Sequence, residues 1–195
     1  MSGSFLEEPA MTPRVQALYD EDMTEDGYVW NASRLAAYQP ETMQQLLDLS
    51  LEAFVPSGLS LRQRGILVLA AASARGDSYC SLAWGGKVAD AFGTELAAAV
   101  LSGSDAGLTE QETVIAWWAR KVVNDPNATS LADVQKLRDA GLSDTQVFAI
   151  TVYVSLRLAI ATVNDALGAH PDAKLVAALP PEVAAAVNWG RAPQD

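Results

Sequence analysis

The sequence predicts an all-α fold, and three observations support this prediction. Three segments start with the same pattern, a Ser or Thr followed three positions later by Gln or Glu, at Ser60, Thr109 and Ser143. Such a capping box satisfies free backbone N–H groups at the start of a helix. Each box leads into a long apolar segment, and no strand–turn–strand pattern built on Asn-Gly or Asp-Gly occurs. The repetition of this unit predicts related helical units.

The predicted helices follow in chain order from these boxes and from weaker start signals. The weaker signals are Thr12-Pro13, Pro40-Glu41, Gly93-Thr94-Glu95 and 130–133. The apolar segments after the three boxes are 66–74, 114–123 and 147–163. The first is apolar on every side, which predicts a central helix. The last carries Arg157, and because a charge is costly in lipid we interpret this segment as a buried core helix.

Composition predicts a compact protein whose partners are small molecules or other protein chains. Half of the 195 residues are hydrophobic, 19% are charged, and the formal net charge is −11. Nucleic acids and anionic membranes bind through Lys and Arg, so this charge argues against both as partners. A single cysteine excludes an intramolecular disulfide, and the first residues lack the pattern of a secretory signal. We therefore expect a cytoplasmic protein.

The most informative stretch is 75–85, which places the only cysteine, Cys80, just inside a helix start. Asp77 and Ser78 are both good N-cap residues. The first turn of a helix offers free N–H groups and a positive dipole end, which favour a thiolate. Asp77 opposes this effect, because a like charge close to the sulfur raises the pKa of the thiol. The alternative is that Cys80 is only a small buried apolar side chain.

The motifs at 59–64, 76–80, 108–112, 133–144 and 164–172 occur in an order that resembles the carboxymuconolactone decarboxylase and alkylhydroperoxidase D superfamily. The resemblance is strongest to its peroxidase-related branch. It implies an all-helical subunit that assembles into trimers or hexamers, and an active site with a Cys-x-x-Cys pair, a Glu and a His. We expect an alkylhydroperoxidase-like domain over 40–172, a C-terminal helix and tail over 173–195, and an N-terminal extension over 1–39 that packs on the body or on a neighbouring subunit.

The resemblance carries over only one of the family's four active-site groups. The second cysteine of the pair corresponds to Cys80, the first to Asp77, the histidine to Trp84 and the glutamate to Gly65. Without a second cysteine the protein cannot close its own disulfide after peroxide has oxidised a thiol. The missing Glu and His look like the family's proton relay. Cys80 and Asp77 are the candidate catalytic residues, and the pocket candidates are Gly65, Ser78, Tyr79, Trp84 and Asp165.

Several candidate residues keep two interpretations. Trp84 either shapes a pocket beside the thiol or belongs to the core. Asp165 is either a pocket carboxylate or a polar residue that secures a helix end. His170 has no partners at metal-ligand spacing, so we expect it in a solvent-facing loop. No nucleotide-binding motif occurs either, and we expect neither a metal nor another cofactor.

Two functions from different classes follow from the sequence. In the first, Cys80 reduces small organic hydroperoxides, and an external thiol regenerates it. In the second, the family active site has degenerated, and the oligomeric scaffold binds a small apolar ligand or a protein partner. The combined loss at Gly65, Asp77 and Trp84 supports the second. A decarboxylase acting on a lactone acid is the weakest alternative, because no convincing base for it is present.

Overall fold

The computed structural model describes residues 3–194 and confirms the all-α prediction. Within these residues no strand forms, and the one β-bridge joins Asp172 to Gln194. Short 3₁₀ turns lie at Val55–Ser57 and Pro126–Ala128. The helices are α1 (Pro13–Glu25), α2 (Asn31–Ala36), α3 (Pro40–Phe54), α4 (Leu61–Arg75), α5 (Ser78–Phe92), α6 (Thr94–Leu101), α7 (Glu110–Asn124), α8 (Leu131–Asp139), α9 (Asp144–Ala166), α10 (Ala173–Ala177) and α11 (Pro181–Ala186).

The three predicted capping boxes are confirmed and start the core helices α4, α7 and α9. At the start of α4 the hydroxyl of Ser60 accepts from the backbone N–H of Gln63, whose side-chain oxygen accepts from the backbone N–H of Ser60. The same reciprocal pair opens α7 at Thr109 and α9 at Ser143. Each box satisfies N–H groups that the helix leaves free. Local chemistry therefore fixes where these helices begin.

Helix α4 lies at the centre of the molecule, as its apolar sequence predicts. It packs against α5, α6, α7 and α9. Ile66, Leu67 and Leu69 are fully buried on different sides of the helix. An ion pair between Arg62 Nε and Glu112 Oε1, 2.8 Å long, links the start of α4 to the start of α7. The packing of α4 on α9 places the C-terminal end of α4, and the turn into α5, against the middle of α9.

Helix α9 carries the long apolar segment of the sequence. In the part of the chain that is described, it is the one helix whose length and mean hydropathy of 1.7 would suit a membrane span. Core helices of soluble proteins meet the same two criteria. Ile150, Tyr153 and Val154 are buried in the main core cluster, which agrees with the interpretation of α9 as a core helix.

Both ends of the described chain lie on the helical body. The backbone N–H of Phe5 donates to the carbonyl of Leu167, and the backbone N–H of Asn31 donates to the Asp172 carboxylate. At the other end, the tail after α11 reaches the start of α5, where the backbone N–H of Arg191 donates to Ser78 Oγ at 3.0 Å. The region after residue 172 contains two short helices, α10 and α11, rather than one.

Candidate functional site

A tight turn between α4 and α5 places Cys80 in the first turn of α5. Gly76 ends α4 with φ of 75°, a conformation that a residue with a side chain rarely adopts. Asp77 is the N-cap of α5, and its Oδ1 accepts from the backbone N–H of Cys80 at 2.9 Å. The charge of the Asp77 carboxylate also acts on the Cys80 thiol and raises its pKa. The sequence-predicted pair is therefore in direct contact.

Arg157 is the third member of the site, and the sequence analysis did not identify it as a site residue. It lies in the middle of α9, and its Nη2 donates to Cys80 Sγ at 2.9 Å. Its guanidinium also lies over the ring of Trp84, 5.5 Å from the centroid. Its Nε is buried and has no hydrogen-bond partner among the described residues. A lone arginine in an apolar helix needs a polar partner, and that was the signal in the sequence.

Burial dominates the electrostatics of the site. Desolvation raises the pKa of the Cys80 thiol to about 11, against the opposing effect of Arg157, and the Asp77 carboxylate adds to the rise. Desolvation also raises the pKa of Asp77 to about 6, although the Cys80 N–H and Arg157 favour its charged form. For Arg157, burial disfavours the charge, but Cys80, Tyr153 and Asp77 raise its pKa overall. At neutral pH the site holds a thiol, a carboxylate and a guanidinium.

The space beside Cys80 is small. A cavity of about 10 Å³ is lined by Val68, Ala71, Ala72, Arg75, Asp77, Cys80, Arg157, Leu158 and Ala161. This volume is enough for about one water molecule. Apart from the three polar groups of the site and Arg75, its walls are aliphatic side chains of α4 and α9. An organic hydroperoxide does not fit the cavity in this conformation.

None of the five pocket candidates lines this cavity, and three of them are held away from it for a steric or bonding reason. A side chain at Gly65 would lie 2.6 Å from Val88 Cγ2, so α5 fills the space that a family glutamate would need. Ser78 Oγ donates to the carbonyl of Arg191 and accepts from its N–H, in contact with the tail. Tyr79 donates to the Asp172 carboxylate and accepts from the N–H of Ala32, so it ties α5 to α2.

The other two candidates touch the site through an arginine. Trp84 is half-buried against the core, and the guanidiniums of Arg64 and Arg157 lie 5.2 and 5.5 Å from the centroid of its ring. Asp165 pairs with Arg75, with 3.2 Å between Oδ2 and Nε. Trp84 packs on the core and contacts Arg157, but it does not line the cavity beside the thiol. The carboxylate of Asp165 lies outside the lining of the cavity.

A second arginine, Arg64, lies near the site and was also missed. Its Nε donates to the hydroxyl of the fully buried Tyr153 at 2.9 Å, and its guanidinium lies over the rings of Phe54, Trp84 and Tyr153. Within residues 3–194 no three His, Cys, Asp or Glu side chains come together as a metal site would require. Nδ1 of His170 lies 2.7 Å from the carbonyl oxygen of Ala192.

Comparisons with known proteins bear on the fold. No family model matches the sequence, and no curated protein matches it. The similar crystal structures include those of an uncharacterized peroxidase-related protein from Silicibacter sp. TM1040 and of an uncharacterized peroxidase-related protein, an alkylhydroperoxidase AhpD core, from Ralstonia eutropha JMP134. Each has a TM-score of 0.75 and 19% identity. The first similarity covers 90% of this chain and 95% of the other, and the second covers 98% of both. The fold implied by the sequence resemblance is confirmed.

Proposed function

We propose that this chain, which has the fold of the peroxidase-related alkylhydroperoxidase D proteins, reduces hydroperoxides through Cys80 and is regenerated by an external thiol. One observation carries the proposal. The only thiol of the chain accepts a hydrogen bond from a fixed cation, Arg157, and lies beside a proton acceptor, Asp77, in the lining of the same small cavity. These are the two groups that a thiol needs in order to become a nucleophile. They stand in for the family's Glu and His relay.

In the proposed first step, Asp77 takes the proton of the Cys80 thiol, and Arg157 stabilises the resulting thiolate. The thiolate attacks the terminal oxygen of the hydroperoxide, the one that bears the hydrogen, so that an S–O bond forms while the O–O bond breaks. The sulfur is oxidised by two electrons to a sulfenic acid. The leaving oxygen takes the proton from Asp77 and departs as an alcohol, or as water when the oxidant is hydrogen peroxide.

The second half of the cycle requires an external thiol. The chain has no second cysteine, so the sulfenic acid condenses with a thiol from solution to form a mixed disulfide and water. A second external thiol then attacks this disulfide, restores Cys80 and leaves as an oxidised disulfide product. The protons and electrons of this reaction cycle balance with the hydroperoxide and the external thiol alone.

The proposal is tested by comparing hydroperoxide reduction by the wild type and by Cys80→Ser in the presence of a small-molecule thiol. Serine retains a small side chain in the first turn of α5, so the variant tests the sulfur rather than the fold. We expect thiol-dependent turnover that is lost in the variant. Equal turnover in both proteins would refute the proposal.

A second candidate function, binding of a small apolar ligand, is favoured by a separate cavity. About 350 Å³ of space lies between α5, α10, α11 and the tail. At 3.6 residues per turn its lining residues Ser78 and Leu82 lie on the face of α5 opposite Cys80. The indole N–H of Trp189, another lining residue, is buried without a partner in the described part of the chain. Ligand stabilisation that persists in Cys80→Ser would support this function.

We further propose that the protein is a cytoplasmic homo-oligomer, either a trimer or a hexamer. Exposed apolar side chains support assembly. Leu47, Leu51 and Val55 follow each other at four-residue spacing along α3 and the 3₁₀ turn after it, and all are exposed. Phe148, near the start of α9, is 73% exposed. Helix α9 packs against the 3₁₀ turn Val55–Ser57. Apolar patches of this kind mark protein contacts, and light scattering of the purified chain measures the assembly.

A further inference from the structure

One wall of the cavity beside Cys80 lies at the protein surface. Of the nine residues that line the cavity, Arg75 is the most exposed, with 29% of its side chain accessible to solvent, and the others are buried or half-buried. Arg75 is the last residue of α4, and its side chain crosses to α9. There its Nη2 donates to Thr162 Oγ1 at 3.0 Å, and its Nε donates to Asp165 Oδ2 at 3.2 Å. The entrance to the cavity therefore lies at Arg75.

We propose that Arg75 is a gate residue that sets the size of the molecules able to reach Cys80. The inference rests on the proposed function, because the molecules in question are the hydroperoxide and the external thiol. With Arg75 bonded to α9, the enclosed volume of about 10 Å³ admits a molecule of the size of water. Larger substrates enter when the side chain leaves Thr162 and Asp165.

The other walls of the cavity cannot move as easily. They are aliphatic side chains, such as Val68 and Ala161, in the close-packed interface of α4 and α9, and the polar groups of the site, of which Arg157 is hydrogen-bonded to Cys80. The arginine side chain is long and flexible, and its two partners are near the surface, where water can replace each hydrogen bond. Thr162 is exposed and Asp165 is half-buried. Rotation of one side chain, without movement of a helix, is enough to widen the entrance.

The test is the rate at which two neutral reagents of different size alkylate Cys80 at alkaline pH. Iodoacetamide is the small reagent and N-(1-pyrenyl)maleimide is the bulky one. Because lysine amines also react at alkaline pH, peptide mass spectrometry counts only the label on Cys80, the one cysteine of the chain, and Cys80→Ser is the blank. In Arg75→Ala we expect the ratio of the bulky to the small rate to rise by roughly tenfold, since two hydrogen bonds that hold the entrance closed are lost. In Thr162→Val, which removes one of them, we expect a rise of roughly threefold.

A matched control variant and a second measurement distinguish opening of the gate from labelling through local unfolding. Arg138→Ala removes an arginine that pairs with Asp144 at a distant helix junction, and it should leave the ratio unchanged. Labelling through local unfolding accelerates in low concentrations of urea, whereas labelling through an opened gate does not. An unchanged ratio in Arg75→Ala, or a ratio that rises only with urea, would overturn the gate.

Failure of the gate and failure of the proposed function give different results. If Arg75→Ala changes the ratio but hydrogen peroxide leaves Cys80 unmodified, the gate stands and the peroxidase function fails. If hydrogen peroxide oxidises Cys80 but the ratio does not change, the function stands and the gate fails.

Discussion

Replacement of Asp77 by Asn is expected to stabilise the protein at neutral pH. Burial raises the pKa of the Asp77 carboxyl from 3.8 to about 6, so the folded state binds this proton more tightly than the unfolded chain does. A raised acid pKa stabilises the fold below pH 4, and this contribution is lost as the pH rises through 6. The ionised carboxylate therefore costs about 3 kcal/mol of folding free energy at pH 7.

The asparagine variant keeps the shape and the cap while removing that charge. Its side-chain oxygen can still accept from the backbone N–H of Cys80, and Asn is as good an N-cap as Asp. We expect Asp77→Asn to be more stable than the wild type by about 3 kcal/mol at pH 7, and by about half of that at pH 5. For a chain of this length the gain at pH 7 corresponds to a rise in Tm of roughly 6 to 12 °C.

Thermal and urea unfolding, followed by far-ultraviolet circular dichroism at both pH values, measure the difference. Asp125→Asn is the matched control, because Asp125 is also an N-cap but is exposed. Its stability should stay within about 0.5 kcal/mol of the wild type. Two results would contradict this reasoning: an Asp77→Asn variant that is less stable than the wild type at pH 7, or a gain in stability that is the same at pH 5 and pH 7. Either would show that burial of the ionised Asp77 carboxylate does not destabilise the fold.

The remaining predictions concern the chemistry of the site. The rate of Cys80 oxidation by hydrogen peroxide should fall about tenfold per pH unit below pH 6, because Asp77 acts as a base only when it is ionised. A rate that does not change between pH 7 and pH 5 would exclude Asp77 as the base. In Asp77→Asn the Cys80 thiol should be alkylated faster at pH 8, because a charge that raises its pKa has been removed, whereas peroxide turnover should fall because the base is lost. If both rates changed in the same direction, Asp77 would not have these two separate effects on the thiol. Arg157→Met should slow oxidation by roughly tenfold to a hundredfold, because a hydrogen bond to the thiolate is lost, and an unchanged rate would remove Arg157 from the mechanism.

The helices were predictable from the sequence because their signals are local. The boxes at Ser60, Thr109 and Ser143 bind backbone groups only three residues away, so the sequence contains both partners of each bond. Cys80 and Asp77 were found for the same reason. Arg157 was missed as a site residue because it is 77 residues from Cys80 along the chain, and only the packing of α9 on α4 and α5 brings its guanidinium to the sulfur.

The pocket candidates show the same limit. Ser78 and Tyr79 adjoin Cys80 in sequence, but a helix turns successive side chains in different directions, and these two face the tail and α2. Gly65 was chosen through the family pattern, and the structure places Val88 where the family's glutamate side chain would extend. Closeness to Cys80 in the sequence selected Ser78 and Tyr79, and the family pattern selected Gly65. Both criteria identified the right region of the chain, but none of these three residues lines the cavity.

The most direct test of the account is mass spectrometry of the native protein after brief exposure to hydrogen peroxide, with a dimedone-type reagent present to trap sulfenic acid. The account predicts one trapped adduct on Cys80, less adduct in Asp77→Asn and Arg157→Met at neutral pH, and reversal of untrapped oxidation by added thiol. An unmodified Cys80 in the folded protein, with modification appearing only after unfolding, would contradict the account and leave Cys80 as a buried apolar side chain.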